Sequence, residues 1–204
     1  MLVSKTLLST IVTASKDDTR PLLTCIRVYK EGENIVSVAT DGYILSEVIE
    51  KTPDVGDFPN VPISDHTLGE ADDVLVPAET AKKMIAAIKK SDTLPVLNYA
   101  ALTSESITTT DLEMTTMLHF KSPEGNYPEY RKLVDAEEKK PRSTITINPK
   151  YLKQALALFK DDTSVEISVP TYDPMDSSYK NGAVLIKSTA YETKKTAVIM
   201  PLKS

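Results

Sequence analysis

Two histidines and a single cysteine bound the covalent and metal chemistry open to this chain of 204 residues. His66 sits in a proline-rich stretch and His119 in a run of strand character. Neither has a partner at ligand spacing, so with Cys25 they make no zinc site. Phosphate-cradling glycine loops, Gly-x-Ser-x-Gly and His-Glu-x-x-His are all missing. Asp17-Asp18, Asp72-Asp73 and Asp161-Asp162 resemble cation ligands, but two of the pairs follow helical patterns and the third lies in a join. Turns favour aspartate for backbone reasons, which is the reading taken for all three. Cys25, in an apolar run, reads as a core filler. The expectation is a protein that is not an enzyme, with no catalytic residue, no metal and no cofactor.

The chemistry that remains is electrostatic. The formal net charge is −5, yet lysines gather on stretches of helical periodicity. Lys82, Lys83, Lys89 and Lys90 lie opposite an apolar face made by Ala81, Met84, Ile85 and Ile88. Lys150, Lys153 and Lys160 line a second stretch, with Gln154 beside them, and Lys5 and Lys16 flank a third that contains Ser9 and Thr13. Acids concentrate in turns and joins instead; Glu79, in a first turn, complements the helix dipole. One such helix is simply a solvated amphipathic face. Three sharing the pattern suggest a layer of helices turned toward phosphates, which bind lysine without revealing sequence.

The elements that would carry these lysines recur three times. Helices are expected over about 4–16, 78–90 and 149–160. The first shows Leu7, Leu8, Ile11 and Val12, and is followed by strands at 22–29, 35–40 and 43–49, with turns at Glu31 to Asn34 and Asp41-Gly42. The second opens with a strand at Val74 to Val76 and Pro77, and leads to strands at 94–102, 106–110 and 113–120. The third opens with a strand over Thr144 to Ile147 and the cap Asn148-Pro149. Its helix shows Tyr151, Leu152, Ala155, Leu156 and Phe159, and its strands fall at 165–169, 183–188 and 196–202. Ala39-Thr40-Asp41 and Thr109-Thr110-Asp111 echo one another at corresponding places. The proline-rich, acidic stretch Thr52 to Asp73 and the charged stretch Ala136 to Arg142 read as surface connections. This gives an α+β fold with helices on one face and antiparallel sheets on the other. One domain spans 1–135, as half-modules at about 1–51 and 74–135, and a C-terminal half-module spans 143–204.

The apolar run Ala197 to Lys203, which contains Met200-Pro201-Leu202, calls for either docking or a partner. No apolar run approaches the roughly 20 residues of a membrane span. The stretch Met1 to Thr13 reads as structure rather than a signal peptide, and the lone cysteine fits a reducing, cytoplasmic compartment.

Several motifs, in order, resemble the bacterial sliding clamp, the beta subunit of DNA polymerase III. Asp18 to Thr24, with Arg20-Pro21-Leu22-Leu23, looks like an entry into its middle domain, and Val38 to Leu45 like its Ala-Thr-Asp-Gly-His-Arg-Leu signature. Tyr127-Pro128-Glu129-Tyr130-Arg131 is similar to the Phe-Pro-Asp-Tyr-Arg that closes that domain, and Ile147 to Leu152 and Val198 to Lys203 resemble its last half-domain. The resemblance implies helices inward around DNA, sheets outward, and a partner cleft between the middle and last domains. Residue by residue, that cleft would use Leu23, Thr40, Gly42, Tyr43, Ile44 and Leu45, with Val198, Ile199, Met200, Pro201 and Leu202 opposite. The occupant implied is a short peptide bearing a glutamine and two or three large apolar residues.

This chain departs from the family at Tyr43 and Ile44, where His-Arg is usual, and at Asp135, where proline is usual. It also shows about three half-modules where the family has six. The function this implies is a processivity or tethering factor that holds double-stranded DNA without sequence preference and binds a DNA polymerase or other replication protein through a peptide. Homo-oligomerisation is expected and membrane association is not. The alternative is a clamp-fold interaction or regulatory module, from a phage or mobile element, that binds a replication protein without encircling DNA. An unrelated α+β enzyme domain is disfavoured by the poverty of polar constellations.

Overall fold

The computed structural model describes residues 1–53, 71–141, 144–169, 182–190 and 193–202. They fall into two compact units, Met1–Glu129 and Tyr130–Ser204. The proline-rich join and His66 lie outside the described residues.

Unit 1 contains one order of elements twice. The first module runs β1 (Leu2–Ser4), α1 (Lys5–Leu8), β2 (Cys25–Glu31), β3 (Asn34–Thr40) and β4 (Leu45–Lys51). The second runs β5 (Asp73–Pro77), α2 (Ala78–Ala87), β6 (Tyr99–Leu102), β7 (Ser106–Thr110) and β8 (Thr115–His119). Each module's last three strands form an antiparallel meander, closed by tight turns. The opening strands are exchanged. β1 pairs with β6 in the order β1-β6-β7-β8, and β5 pairs with β2 in the order β4-β3-β2-β5. In register, Val3 faces Ala100 and Val76 faces Ile26, and all four side chains are fully buried. Arg27 on β2 clasps Asp73 on β5 through Nε at 2.9 Å and Nη2 at 2.6 Å, tying the exchanged strand to its host.

The helices α1 and α2 pack on each other and on strands of both sheets. Leu7, Leu8, Ala81, Met84 and Ile88 join Val3, Ile26, Val28, Leu102 and Ile107 in one core. The Leu, Ile, Val and Met side chains among them stabilise by about 1.5–3 kcal/mol each when fully buried, so the exchange of strands and the packing of helices share one driving force.

The first helix is shorter than its periodicity suggested. Leu2–Ser4 is strand, the α-helix covers Lys5–Leu8, and Ser9–Thr13 continues as a 3-10 turn. Its hydroxyls explain the change. Ser9 and Thr10 donate back to the carbonyls of Thr6 (2.6 Å) and Leu7 (3.1 Å), while Thr10 reaches Ser37 (2.8 Å) and Thr13 reaches Ala39 O (3.0 Å) across the sheet. Side chains that bond locally and across to strands compete with the regular helix. The expected strand at 94–102 opens instead as a 3-10 turn, Pro95–Asn98, where Pro95 supplies no ladder donor.

Unit 2 holds α3 (Arg131–Glu138), α4 (Pro149–Ala157), β9 (Glu166–Ser168), β10 (Val184–Ala190) and β11 (Thr193–Ile199). α3 occupies part of the expected charged connection, because Lys132, Leu133, Ala136, Glu137 and Glu138 are good helix formers whatever their charge. β9, β10 and β11 form an antiparallel sheet in the order β11-β10-β9. Phe159, Val184, Ile186 and Ile199 form its small core. Thr144 to Ile147, expected as a strand, has no ladder partner among the described residues.

Candidate nucleic-acid and peptide surfaces

On α2 the apolar face is sealed, with Ala81 and Met84 fully buried, and Lys82 and Lys83 exposed on the other side. The helix ends at Ala87; Ile88 turns to φ −57° and ψ 128°, so the exposed Lys89 and Lys90 follow the helix instead of extending its face. Lys5 is half-buried at the start of α1, and the exposed Lys16 lies beyond the 3-10 turn. In unit 2, Asn148 caps α4 by accepting from Lys150 N at 2.9 Å. Lys150 and Lys153 are exposed on the helix, and Lys160 lies exposed in the turn after it. Helix geometry therefore holds fewer of the expected lysines than the periodicity suggested. Most of those remaining stay exposed close to a helix end.

The Thr40 to Leu45 turn is built by its own polar side chains. Thr40 Oγ1 donates to Ile44 O (2.7 Å) and accepts from Gly42 N (3.0 Å). Asp41 accepts from Tyr43 N (2.8 Å) and Ile44 N (2.9 Å), and these donors hold its carboxyl below the usual carboxylate range. Gly42 has φ 96°, and an added Cβ would stand 3.6 Å from Arg20 Nη1. The Arg20 to Leu23 turn and the Asp41-Gly42 turn, distant in sequence, thus meet. Tyr127, from the third motif, is buried in the same unit, and burial pushes its phenol up to about 12. With its amides and the Ile44 carbonyl bonded internally, the turn thrusts Tyr43 out at 96% exposure and Ile44 at 55%. Leu23 and Leu45 are half-buried, and Thr40 is 8% exposed, so its side chain serves the turn.

The second module repeats this turn. Thr110 Oγ1 donates to Met114 O (3.0 Å) and accepts from Leu112 N (3.0 Å), while Asp111 accepts from Glu113 N and Met114 N. Leu112 has φ 77°, at the position equivalent to Gly42. The sequence echo is therefore a structural repeat, down to the left-handed residue.

In unit 2, Val198, Met200 and Leu202 are 60%, 64% and 48% exposed, while Ile199 lies in the core at 3% and Pro201 is half-buried. Alternation along β11 explains the split between Val198 and Ile199, since successive side chains point to opposite faces, and Met200 to Leu202 follow the strand. An apolar cavity of about 490 Å³ lies between α4 and β11, lined by Tyr151, Gln154, Ala155, Ala197, Val198, Ile199 and Met200. Tyr151, Gln154 and Ala155 escaped the sequence reading as peptide contacts. Tyr151 and Ala155 looked like helix core, and only the packing of α4 on β11 makes them a wall.

Among the described residues no three His, Cys, Asp or Glu side chains come together as a metal ligand set. No helix among them is long and apolar enough to cross a membrane.

The arrangement has close counterparts among solved structures. The sliding clamp of Bacillus subtilis matches 98% of this chain at 17% identity with a TM-score of 0.62, and the chain covers 48% of that protein. The DNA polymerase III beta chain of Streptococcus pneumoniae TIGR4 matches all of it at 18% identity and TM-score 0.63, with 49% of its own length covered. This chain has the bacterial sliding-clamp fold. The DNA polymerase III beta subunit of Pseudomonas aeruginosa gives the same result at 14% identity and TM-score 0.60, with 52% of its length covered. The clamp fold here thus spans about half the length of the clamps it matches. No protein-family model and no curated protein sequence matches the chain.

Proposed function

We propose that this clamp-fold chain is a tethering factor with no chemistry of its own. It holds duplex DNA through lysines without reading sequence, and a replication protein, such as a DNA polymerase, through a short apolar peptide. It works as a homo-oligomer in the cytoplasm. The observation that carries the reading is the exposed lysine set on and after α2 and α4, in a protein whose net charge is −5 and whose fold is that of DNA polymerase sliding clamps. The cavity between α4 and β11 supports a peptide anchor, with Tyr151, Val198 and Met200 as its walls. The exposed Tyr43 and Ile44 give unit 1 an apolar surface of its own.

The test is fluorescence anisotropy of a labelled duplex across a salt series. Each phosphate contact contributes about −0.9 to the slope of log K against log[salt]. If all four second-module lysines meet phosphates, they alone cost about 150-fold in affinity between 50 and 200 mM salt. Lys82, Lys83, Lys89 and Lys90 changed together to glutamate should abolish binding. Unchanged retention would remove these lysines from the interface. In parallel, a clamp-binding peptide is titrated against wild type and Met200→Ala. Saturable peptide binding with no DNA binding would favour an interaction module that never grips DNA.

A further inference from the structure

Unit 1 shows how two modules of this chain complete one another, and unit 2 presents a single module with the same parts. In unit 1, β5 is an edge strand that pairs with β2 of the other module. It also meets the tail of its own module, where Ser122 Oγ donates to Leu75 O at 2.7 Å. Leu75 is three residues before α2, and Ser122 is three residues after β8. In unit 2, Leu202 N donates to Thr146 O at 2.8 Å. Thr146 is three residues before α4, and Leu202 is three residues after β11. The opening segment Thr144 to Asn148 therefore has the contact with its own module's tail that β5 has, but none of the ladder that β5 forms with β2. β9, the counterpart of β2 and β6 as first strand after the helix, pairs only with β10 among the described residues.

The helix tells the same story. Counted from each helix start, Ala81, Met84 and Ile85 of α2 and Ile88 just after it correspond to Leu152, Ala155 and Leu156 of α4 and the buried Phe159 just after it. Ala81, Met84 and Ile88 are at most 1% exposed, because α1 and α2 cover each other. On α4, Leu152 and Ala155 are only half-buried and Leu156 is 38% exposed. No residue of α4 is buried. Ile167 on β9 is 53% exposed. An unpaired strand edge is a ready template for another strand, and an uncovered apolar helix face is stabilised when it is buried.

We propose that the occupant is unit 2 of a second copy of this chain. Two copies related by a two-fold axis would each insert Thr144 to Asn148 beside β9 of the other and bring their α4 helices together. This reproduces, between chains, the exchange that β1 and β5 make within unit 1. The surface is self-complementary, as a two-fold interface requires, since one unit carries both the strand to give and the edge to receive it. The proposal rests on the homo-oligomer of the proposed function and names its surface, but it needs neither DNA nor a partner peptide, so a monomer would leave the DNA and peptide titrations to be judged on their own.

The test is sedimentation equilibrium of the full chain, combined with disulfide trapping. Wild type should sediment at twice its 22.4 kDa. Leu156→Lys, on the exposed helix face, should shift it toward monomer while leaving the far-ultraviolet circular dichroism unchanged. Thr146→Cys is then combined in turn with Glu166→Cys, Ile167→Cys and Ser168→Cys. At least one pair should yield a disulfide-linked dimer on mild oxidation, and the corresponding single variants should not. A mass of 22.4 kDa at every concentration up to about 100 μM, with trapping absent or only within one chain, would overturn the proposal. So would a dimer insensitive to Leu156→Lys that gives no trapped pair.

Discussion

Replacing Thr40 and Thr110 separately with valine tests whether the two turns of unit 1 are one device used twice. Valine keeps the shape of threonine but neither donates nor accepts. Each change removes the bond to the carbonyl four residues on and the bond from the amide two residues on, at 2.7 and 3.0 Å for Thr40 and at 3.0 and 3.0 Å for Thr110. A hydrogen bond contributes about 0.5–1.5 kcal/mol net. Gly42, Ile44, Leu112 and Met114 are exposed, so their freed groups return to water and the lower half of that range applies. The expected loss is about 1–2 kcal/mol per threonine. Unit 1 has 129 residues. At about 2.1 cal/mol/K per residue, the unfolding entropy is about 0.27 kcal/mol/K, and the melting temperature should fall by about 4–7 °C. Differential scanning calorimetry of the full chain, following the unit 1 transition, reads this directly. Thr40→Ser and Thr110→Ser keep the hydroxyl and lose one largely buried methyl, so they should cost no more than about 0.8 kcal/mol. If valine and serine cost the same, the hydroxyls do not hold the turns. A gap of more than about 1 kcal/mol between the two valine variants would refute their equivalence.

Three further outcomes follow from the same unit. Gly42→Leu should fold and cost only about 1–2 kcal/mol in urea unfolding, the usual penalty for a left-handed side chain, because Leu112 already occupies the twin position at φ 77° and only the movable Arg20 side chain stands nearby. The backbone donors of both turns hold the Asp41 and Asp111 carboxyls below their ordinary value. Their contribution is therefore present above the unfolded value near pH 4 and is lost as pH falls through the lower folded values. The urea midpoint should accordingly hold from pH 7 to 5 and drop below about pH 4, less steeply in the Asp41→Asn, Asp111→Asn double variant. Met84→Ala, at a fully buried helix position, should cost about 2–5 kcal/mol in urea unfolding while leaving the exposed lysines and their DNA affinity in the folded protein unchanged.

Element type was legible where it depends on near neighbours in sequence. The meander strands and the body of α2 follow from periodicity, and the Thr-Asp echo marked twin turns because threonine and aspartate bond to amides two or three residues away. The lysines of α2 were legible as solvent-facing because one sealed apolar stripe dictates what lies opposite it. Helix ends were less so. Ile88 leaves the helix although its side chain continues the apolar stripe, which carries Lys89 and Lys90 off the face assigned to them. The hydroxyls of Thr10 and Thr13 turn α1 into a 3-10 turn only because Ser37, Ala39 and Ser46 stand across the sheet to receive them.

Partner choice among strands was not in the sequence at all. Leu2–Ser4 is too short to announce a strand, and Val74 to Val76 announces one without saying whose sheet it joins. The exchange of β1 and β5 is decided by a core that buries both helices at once. Likewise Thr144 to Ile147 has the sequence of a strand but no ladder partner among the described residues, because strand pairing is a property of two segments, of which the sequence of one can state only half. Tyr151 and Ala155 read as core for the same reason; the packing of α4 on β11 makes them the wall of a cavity. Local bonding rules thus determined the elements and the turns from the sequence alone, whereas every feature that needs a second surface was decided by tertiary structure.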